Sequence, residues 1–193
     1  MSKSKYFSIL DSLTETNSKP AEPNDRVLLV DGLNTFIRAW TTSPVTNDDG
    51  VHVGGISGTL LSIGYAIKNI KPTRVILCFD GKGGSQRRRK LFPEYKASRK
   101  TSVNLNRSFM GHTDKDADQQ NMKMQLGRLV QYLDNLPVQI LAPSNIEADD
   151  AIAYISKQVL PESKICKQKL ISPWNSQSFV VHLTTSVRNS VKR

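Results

Sequence analysis

Val27-Leu28-Leu29-Val30 runs straight into Asp31-Gly32, and Val75-Ile76-Leu77-Cys78-Phe79 runs straight into Asp80-Gly81. A short, unbroken apolar run rich in β-branched residues reads as a strand buried on both faces, the habit of a parallel sheet. Between the two runs, Ile56, Leu60, Ile63, Ile67 and Ile70 recur at helical spacing until Lys71-Pro72 ends the pattern. The unit is therefore strand–helix–strand, which implies a right-handed crossover. Gly50 to Ser57 reads as a glycine-rich loop leading into the helix.

Outward from this unit the alternation continues. Lys82 to Arg107 is basic and without period, a loop or mobile helix. From Asp114 to Leu136 a helix is expected, with Met122, Leu126, Leu129, Val130 and Leu133 on one face and Asp114, Asp116 and Asp118 at its N-terminal end. Val138 to Leu141 is a third short strand, Ala142 to Asn145 a turn, and Glu147-Ala148-Asp149-Asp150 opens a helix that turns Ala151, Ile152 and Ile155 inward. A fourth strand is expected within Lys164 to Ile171, and the Val-rich Phe179 to Leu183 allows another. Alternating strands and helices define an α/β class with a parallel sheet. The expected organisation is a polar leader (1–25), one domain (26–171) whose basic segment spans about 82–124, and an atypical tail (172–193).

The 193 residues carry a net charge of +10 and a pI of about 9.7, with 38% hydrophobic residues and a mean hydropathy of -0.39. No apolar run approaches the ~18 residues of a membrane span, and the leader lacks the apolar middle of a secretory signal. The expectation is a cytoplasmic protein, in the host cytoplasm if phage-encoded. The two cysteines, Cys78 and Cys166, form neither a disulfide framework nor a zinc-finger spacing; Cys78 reads as a core residue. The excess charge is concentrated: Lys82, Arg87, Arg88, Arg89, Lys90, Lys96, Arg99, Lys100 and Arg107 stand against one acid, Glu94. A polyanionic partner is the natural expectation.

The acids cluster elsewhere. Asp31, Asp80 and the group Glu147, Asp149 and Asp150 fall at strand ends or a helix start. In a parallel sheet such ends share one edge, where open α/β sheets bind ligands. Carboxylates gathered there repel one another unless a hard divalent cation, Mg²⁺ or Mn²⁺, joins them. Such an ion activates water and steadies a phosphate under attack, while neighbouring cations hold the phosphodiester. Each piece also has an ordinary reading: Asp-Gly as a turn, the acidic quartet as a helix start, the basic run as a solvated loop.

Taken together, these residues resemble the front two-thirds of the phage- and bacterial-type 5′ nucleases, the flap endonuclease family. Val27 to Asn34 and Val75 to Gly81 look like its first two strands with their metal ligands. Arg87-Arg88-Arg89-Lys90-Leu91-Phe92-Pro93-Glu94-Tyr95-Lys96-Ala97-Ser98-Arg99 resembles its basic segment, and Glu147-Ala148-Asp149-Asp150 its acidic signature. The resemblance implies a PIN-like (resolvase-like) parallel-sheet sandwich with a mobile basic arch over about Thr101 to Met124. It implies a 5′-3′ exonuclease or flap endonuclease that uses Mg²⁺ or Mn²⁺ on flap DNA or RNA–DNA primers in replication and repair. Asp31, Asp80, Glu147 and Asp149 would be metal ligands, with Asp150 ligating directly or through water. Lys96 and Arg99 would orient the scissile phosphate, assisted by Arg88. Arg87, Arg89, Lys90 and Lys100 would bind DNA. Gly54, Gly55 and Ser57, at a helix start, would admit the DNA backbone, or simply begin a helix. The implied partners are branched, flap or primer-bearing DNA and replication proteins; the protein is expected to be a monomer off the membrane.

The resemblance breaks late. The family continues with a strand, an Asp-x-Asp pair for a second metal and a duplex-gripping region. Here Ser172-Pro173-Trp174-Asn175-Ser176 follows, and Glu162 is the only acid after Asp150. Weak or absent cleavage is expected, either because the last residues of a truncated or frame-shifted copy are foreign to the family or because the chain binds DNA without turnover. A PIN-type ribonuclease also fits the strand-end aspartates; the basic Tyr95-Lys96…Arg99 segment favours the 5′ nuclease.

Overall fold

A computed structural model describes residues 21–96, 115–169 and 180–184. Most of the leader, residues 97–114 of the basic segment (with Arg99 and Lys100) and most of the tail lie outside the described residues.

The two apolar runs are strands β1 (Arg26–Asp31) and β2 (Arg74–Cys78), paired in parallel with Val27 opposite Arg74 and Asp31 opposite Cys78. β3 (Gln139–Leu141) extends the sheet beyond β2, and β4 (Lys164–Lys169) pairs in parallel on the other side of β1. β5 (Val180–Thr184) closes the order β3-β2-β1-β4-β5 and is antiparallel to β4. Chain direction across the sheet reverses at β1, which puts the topological switch point at the end where Asp31 stands.

Helices cover both faces. On one, Leu28, Val30, Val75, Leu77 and Phe79 pack against Phe36, Trp40, Ile63, Ala66, Leu129 and Leu133. These come from α1 (Gly32–Thr42), α2 (Gly54–Ile70) and α4 (Lys115–Asp134). On the other face, Val27, Leu29, Ile76, Cys78 and Ile165 meet Ala148, Ala151 and Ile155, from α5 (Ala148–Tyr154) and the π-helical turn Ile155–Val159. Alternate residues of each central strand thus point to opposite cores, which is why those strands are apolar throughout. Cys78 is fully buried, and burial first, then the Asp31 charge, push its thiol up to about 11.

The structure revises two expectations and chooses between the alternatives of a third. Asp31-Gly32 is no turn but the start of α1: Asp31 Oδ1 accepts from Asn34 N at 3.0 Å as an N-cap, and a Cβ on Gly32 would stand 2.5 Å from the Phe79 ring. The basic stretch contains a short helix, α3 (Gln86–Leu91). Lys115 to Met124, read as part of the arch, lies in the first half of α4.

Two helix faces also differ from the hydrophobic pattern, since Ile67 and Val130 are exposed while Thr59, Ser62, Asn121 and Gln125 are buried. Of these, Asn121 and Gln125 bond with each other around His52, while Thr59 Oγ1 donates to the Gly55 carbonyl of its own helix at 2.6 Å. Gln125 Nε2 donates to the His52 carbonyl at 2.8 Å and to Asn121 Oδ1 at 2.6 Å, while Gln125 Oε1 accepts from Ile56 N at 3.1 Å. Trp40 Nε1 donates to Asn121 Oδ1 at 2.9 Å, and His52 Nε2 lies 2.6 Å from the Ser43 carbonyl. This hub ties α1, the 43–53 loop, α2 and α4 together.

Candidate active site

Both Asp-Gly pairs end at the C-terminal edge of the sheet, and α5 begins there too. Asp80 Oδ1 accepts from the Ala148 amide at 2.8 Å, which fixes the acidic helix start against the end of β2. A cavity of about 370 Å³ results, lined by Asp31, Asp80, Glu147 and Asp149 together with Lys96, Tyr95, Asn34 and Arg38. Carboxylates from three separate segments therefore share one space.

The cavity has two electrically different halves. Glu147 is buried and surrounded by donors: Lys96 Nζ at 2.8 Å, Tyr95 Oη at 2.9 Å and Arg88 Nη1 at 2.7 Å. Burial alone would raise its pKa; the Lys96 and Tyr95 hydrogen bonds with the Lys96 and Arg88 charges outweigh that and hold it below the ordinary value. For Lys96 burial works to lower the pKa, and the Glu147 hydrogen bond and charge reverse this to a net rise. Arg88 is raised as well, chiefly by its hydrogen bond to Asp150 and then by that to Tyr95. Both cations lie near the Tyr95 ring, Arg88 Cζ 5.4 Å and Lys96 Nζ 5.2 Å from its centroid. Lys96 adopts φ +60°, a left-handed backbone uncommon outside glycine.

The other half holds Asp31, Asp80 and Asp149. Among the described residues the cations at this cavity, Arg88 and Lys96, form their ion pairs with Glu147 and Asp150 and none with these three. Asp31 is half-buried and its pKa is raised, first by burial and then by the Asp149 and Asp80 charges, against the Asn34 amide and a smaller opposing influence of Lys96. Oxygen donors with unneutralised mutual repulsion are the chemistry a hard divalent cation relieves. In this geometry, among the described residues, no group of three or more Asp, Glu, His or Cys is close enough to enclose a metal. The donor set fits such an ion in kind, and the side chains would have to draw inward to ligate it.

The remaining sequence candidates separate. Asp150 is at the site's edge, tied to Arg88. Arg87, Arg89 and Lys90 are exposed on α3 and do not line the cavity. Gly54 and Gly55 are buried: a Cβ on Gly54 would meet the Ser43 carbonyl at 2.3 Å, and one on Gly55 the Phe36 ring at 2.6 Å. Packing explains both glycines, and neither offers its backbone to solvent. Ser57 Oγ donates to the Val53 carbonyl at 3.2 Å, within its own helix start. Several cavity residues were not singled out as site residues from sequence, among them Tyr95 and Arg38. Tyr95 stood inside the quoted basic motif, and Arg38 belongs to a helix the sequence reading missed.

A two-faced α/β sheet whose switch-point crevice gathers acidic and basic side chains has the ligand-binding architecture of open α/β domains. The model of the 5'-3' exonuclease N-terminal resolvase-like domain matches residues 26–173. The chain belongs to the 5′-3′ exonuclease/flap nuclease family, as its motifs imply. It is 37% identical over 81 residues to a 5′-3′ exonuclease of Bacillus subtilis (strain 168), covering 39% of this chain and 27% of that protein. With a 5′-3′ exonuclease of Mycobacterium tuberculosis (H37Rv) it shares 26% identity over 132 residues, covering 67% of this chain and 40% of that protein. The chain thus spans well under half the length of these relatives. Among solved structures it resembles the T5 D15 protein co-crystallised with metal ions (TM-score 0.51, 16% identity, covering 74% of this chain and 54% of that one). It also resembles T5 5′-exonuclease with bound divalent zinc (TM-score 0.51, 20% identity, 72% and 47%). A third is the D15 flap endonuclease pseudo-enzyme–product complex with DNA and metal ions (TM-score 0.50, 16% identity, 74% and 54%). At these identities the likenesses establish the fold. Among the described residues no helix is long and apolar enough to cross a membrane.

Proposed function

We propose that this domain binds branched DNA, a flap or a primer-bearing duplex, and engages a divalent cation, Mg²⁺ or Mn²⁺, through Asp31, Asp80 and Asp149. The observation that carries the reading is the shared cavity: Asp31, Asp80 and Asp149, which make no ion pair among the described residues, on one side, and Lys96, paired with Glu147, on the other. When bound, the cation would acidify a water and neutralise charge on the phosphodiester. The chain's own residues do the rest. Lys96, fixed by its backbone conformation, presents a compact positive charge at the cavity wall, and Arg88 supplies a planar one. Tyr95 sets the position of both. Glu147 keeps these cations in place, and Asp80 anchors the start of α5. Arg99 and Lys100 continue the same basic motif and are assigned phosphate contacts by the resemblance alone. Replication proteins are the expected partners of a cytoplasmic monomer.

Turnover is proposed to be weak. The resemblance implies an Asp-x-Asp pair that completes a second metal site, whereas Glu162 is the one acid after Asp150 in the given sequence. A DNA-binding module without efficient cleavage is the second reading, favoured by the engagement of Glu147 with three donors. The test is an end-labelled 5′-flap substrate with the 193-residue protein under Mg²⁺ and under Mn²⁺, alongside anisotropy in EDTA. The expected outcome is salt-sensitive binding with little product. Asp149→Ala should remove whatever cleavage exists, by about a hundredfold or more, and leave binding largely intact. Robust Mg²⁺-dependent cutting would overturn the claim of weak turnover, and failure to bind flap DNA would overturn the function itself.

A further inference from the structure

The two faces of β3 are covered unequally. Ile140 points to the face where α4 packs and joins that core. Gln139 and Leu141 point to the other, paired with Ile76 and Cys78 of β2, and both are exposed, since α5 packs over β1 and β2 instead. A groove of about 400 Å³ is left on this face. Ile76, Leu141, Ile155, Val159 and Leu160 make its walls apolar, and Arg74 is its one charged residue. Val159 is 54% exposed and Leu141 39%. A parallel strand is apolar on both sides because both are ordinarily covered, so this groove calls for a cover of its own.

The chain itself brings an occupant to the rim. Its first described residues run beside the start of β2: Thr73 Oγ1 donates to the Pro23 carbonyl at 3.1 Å, and Arg74 Nη1 donates to Asn24 Oδ1 at 3.0 Å. Arg74 also lines the groove, and its Nε donates to Gln139 Oε1 on β3 at 2.8 Å. One residue thus joins the groove to the leader. Upstream, outside the described residues, the otherwise polar leader contains Tyr6-Phe7-Ser8-Ile9-Leu10-Asp11-Ser12-Leu13. Tyr6, Phe7, Ile9, Leu10 and Leu13 are apolar and Asp11 is the only charge, the complement of an apolar groove with a single arginine. Residues 14–20 link this run to the tether, and fully extended they reach about 23 Å. A segment held this close has a high effective concentration at the groove, which favours it over a separate molecule.

We propose that residues 6–13 of the leader dock, within the same molecule, in the groove between β3 and the π-helical turn and cover the open face of β3. The inference is independent of the nucleic-acid reading, since none of these residues lines the acidic cavity. The first measurement is thermal melting of the full 193-residue protein as wild type, Leu10→Ser, Val159→Ser and the double variant. Each single change should lower the melting temperature by about 2–4 °C. The double variant should melt no lower than the worse single, because both changes delete one shared contact. The second measurement is oxidation of Leu10→Cys/Val159→Cys, read on a non-reducing gel. A faster-migrating, cross-linked monomer is expected, absent from either single-cysteine variant. Shifts that simply add, or an unchanged melting temperature for Leu10→Ser together with no cross-linked monomer, would overturn the proposal. So would a disulfide-linked dimer as the main product, which would give the groove to a second copy of the chain.

Discussion

Glu147 and Asp31 line the same cavity and carry the same group, yet their surroundings push their pKa values in opposite directions. Glu147 meets an ammonium, a guanidinium and a phenol, while Asp31 meets two more aspartates. One half of the cavity is balanced by the chain's own cations; the other is the half proposed to take a divalent cation. Burial of a carboxylate therefore says little about its role until its partners are counted.

The largest effect should come from breaking the satisfied half. Glu147→Gln leaves Lys96 and Arg88 without their shared counter-charge and should cost about 2–3 kcal/mol in urea denaturation at pH 7, below the full cost of a deeply buried pair because both cations keep partial solvent contact. The sign with pH follows from its lowered pKa. The Glu147 contribution is present above the unfolded carboxylate value of about 4.3 and is lost as pH falls through the lower folded value, so the variant should lose less stability than wild type on acidification. A neutral Glu147→Gln would mean that the two halves do not differ as described.

Filling the other half should act next. Mn²⁺ or Mg²⁺ at ten times its dissociation constant should stabilise wild type by about 1.4 kcal/mol. EDTA should reverse this and Asp149→Ala should abolish it, read by thermal melting. A smaller change is expected for Tyr95→Phe, which deletes a hydroxyl donating to Glu147 and accepting from Arg88: about 0.5–1.5 kcal/mol by the same denaturation. Smallest and opposite in sign, Asp31→Asn keeps an amide oxygen to cap α1 and removes one of the crowded charges. Without metal it should raise the melting temperature, by about 1–3 °C. A fall would show that Asp31 is not strained by its neighbours.

The strands and their terminal aspartates were legible because a doubly buried strand admits only apolar residues and its end is where polarity returns. The acidic start of α5 was legible for the same reason. α1 was missed although Leu33, Phe36, Ile37 and Trp40 recur at helical spacing, because Asp-Gly is so common in turns; the Phe79 ring that demands Gly32 is distant in sequence. The polar packing of α4 left no hydropathy signal, since buried Asn121 and Gln125 score like surface residues. That Arg88, Tyr95 and Lys96 converge on Glu147 was invisible for a similar reason: each is an ordinary polar residue until the fold brings the segments together.

The Gln125 hub has a mechanical consequence. Helices joined by hydrocarbon alone can roll or slip by a ridge at modest cost, since one methyl substitutes for another. Here α4 meets the 43–53 loop and α2 through directed amide contacts, and any slip would orphan several interior dipoles at once. The joint is a keyed shaft rather than a greased bearing: turning α4 against α1 would break the bond from Trp40 Nε1 to Asn121 Oδ1 along with the contacts to the loop.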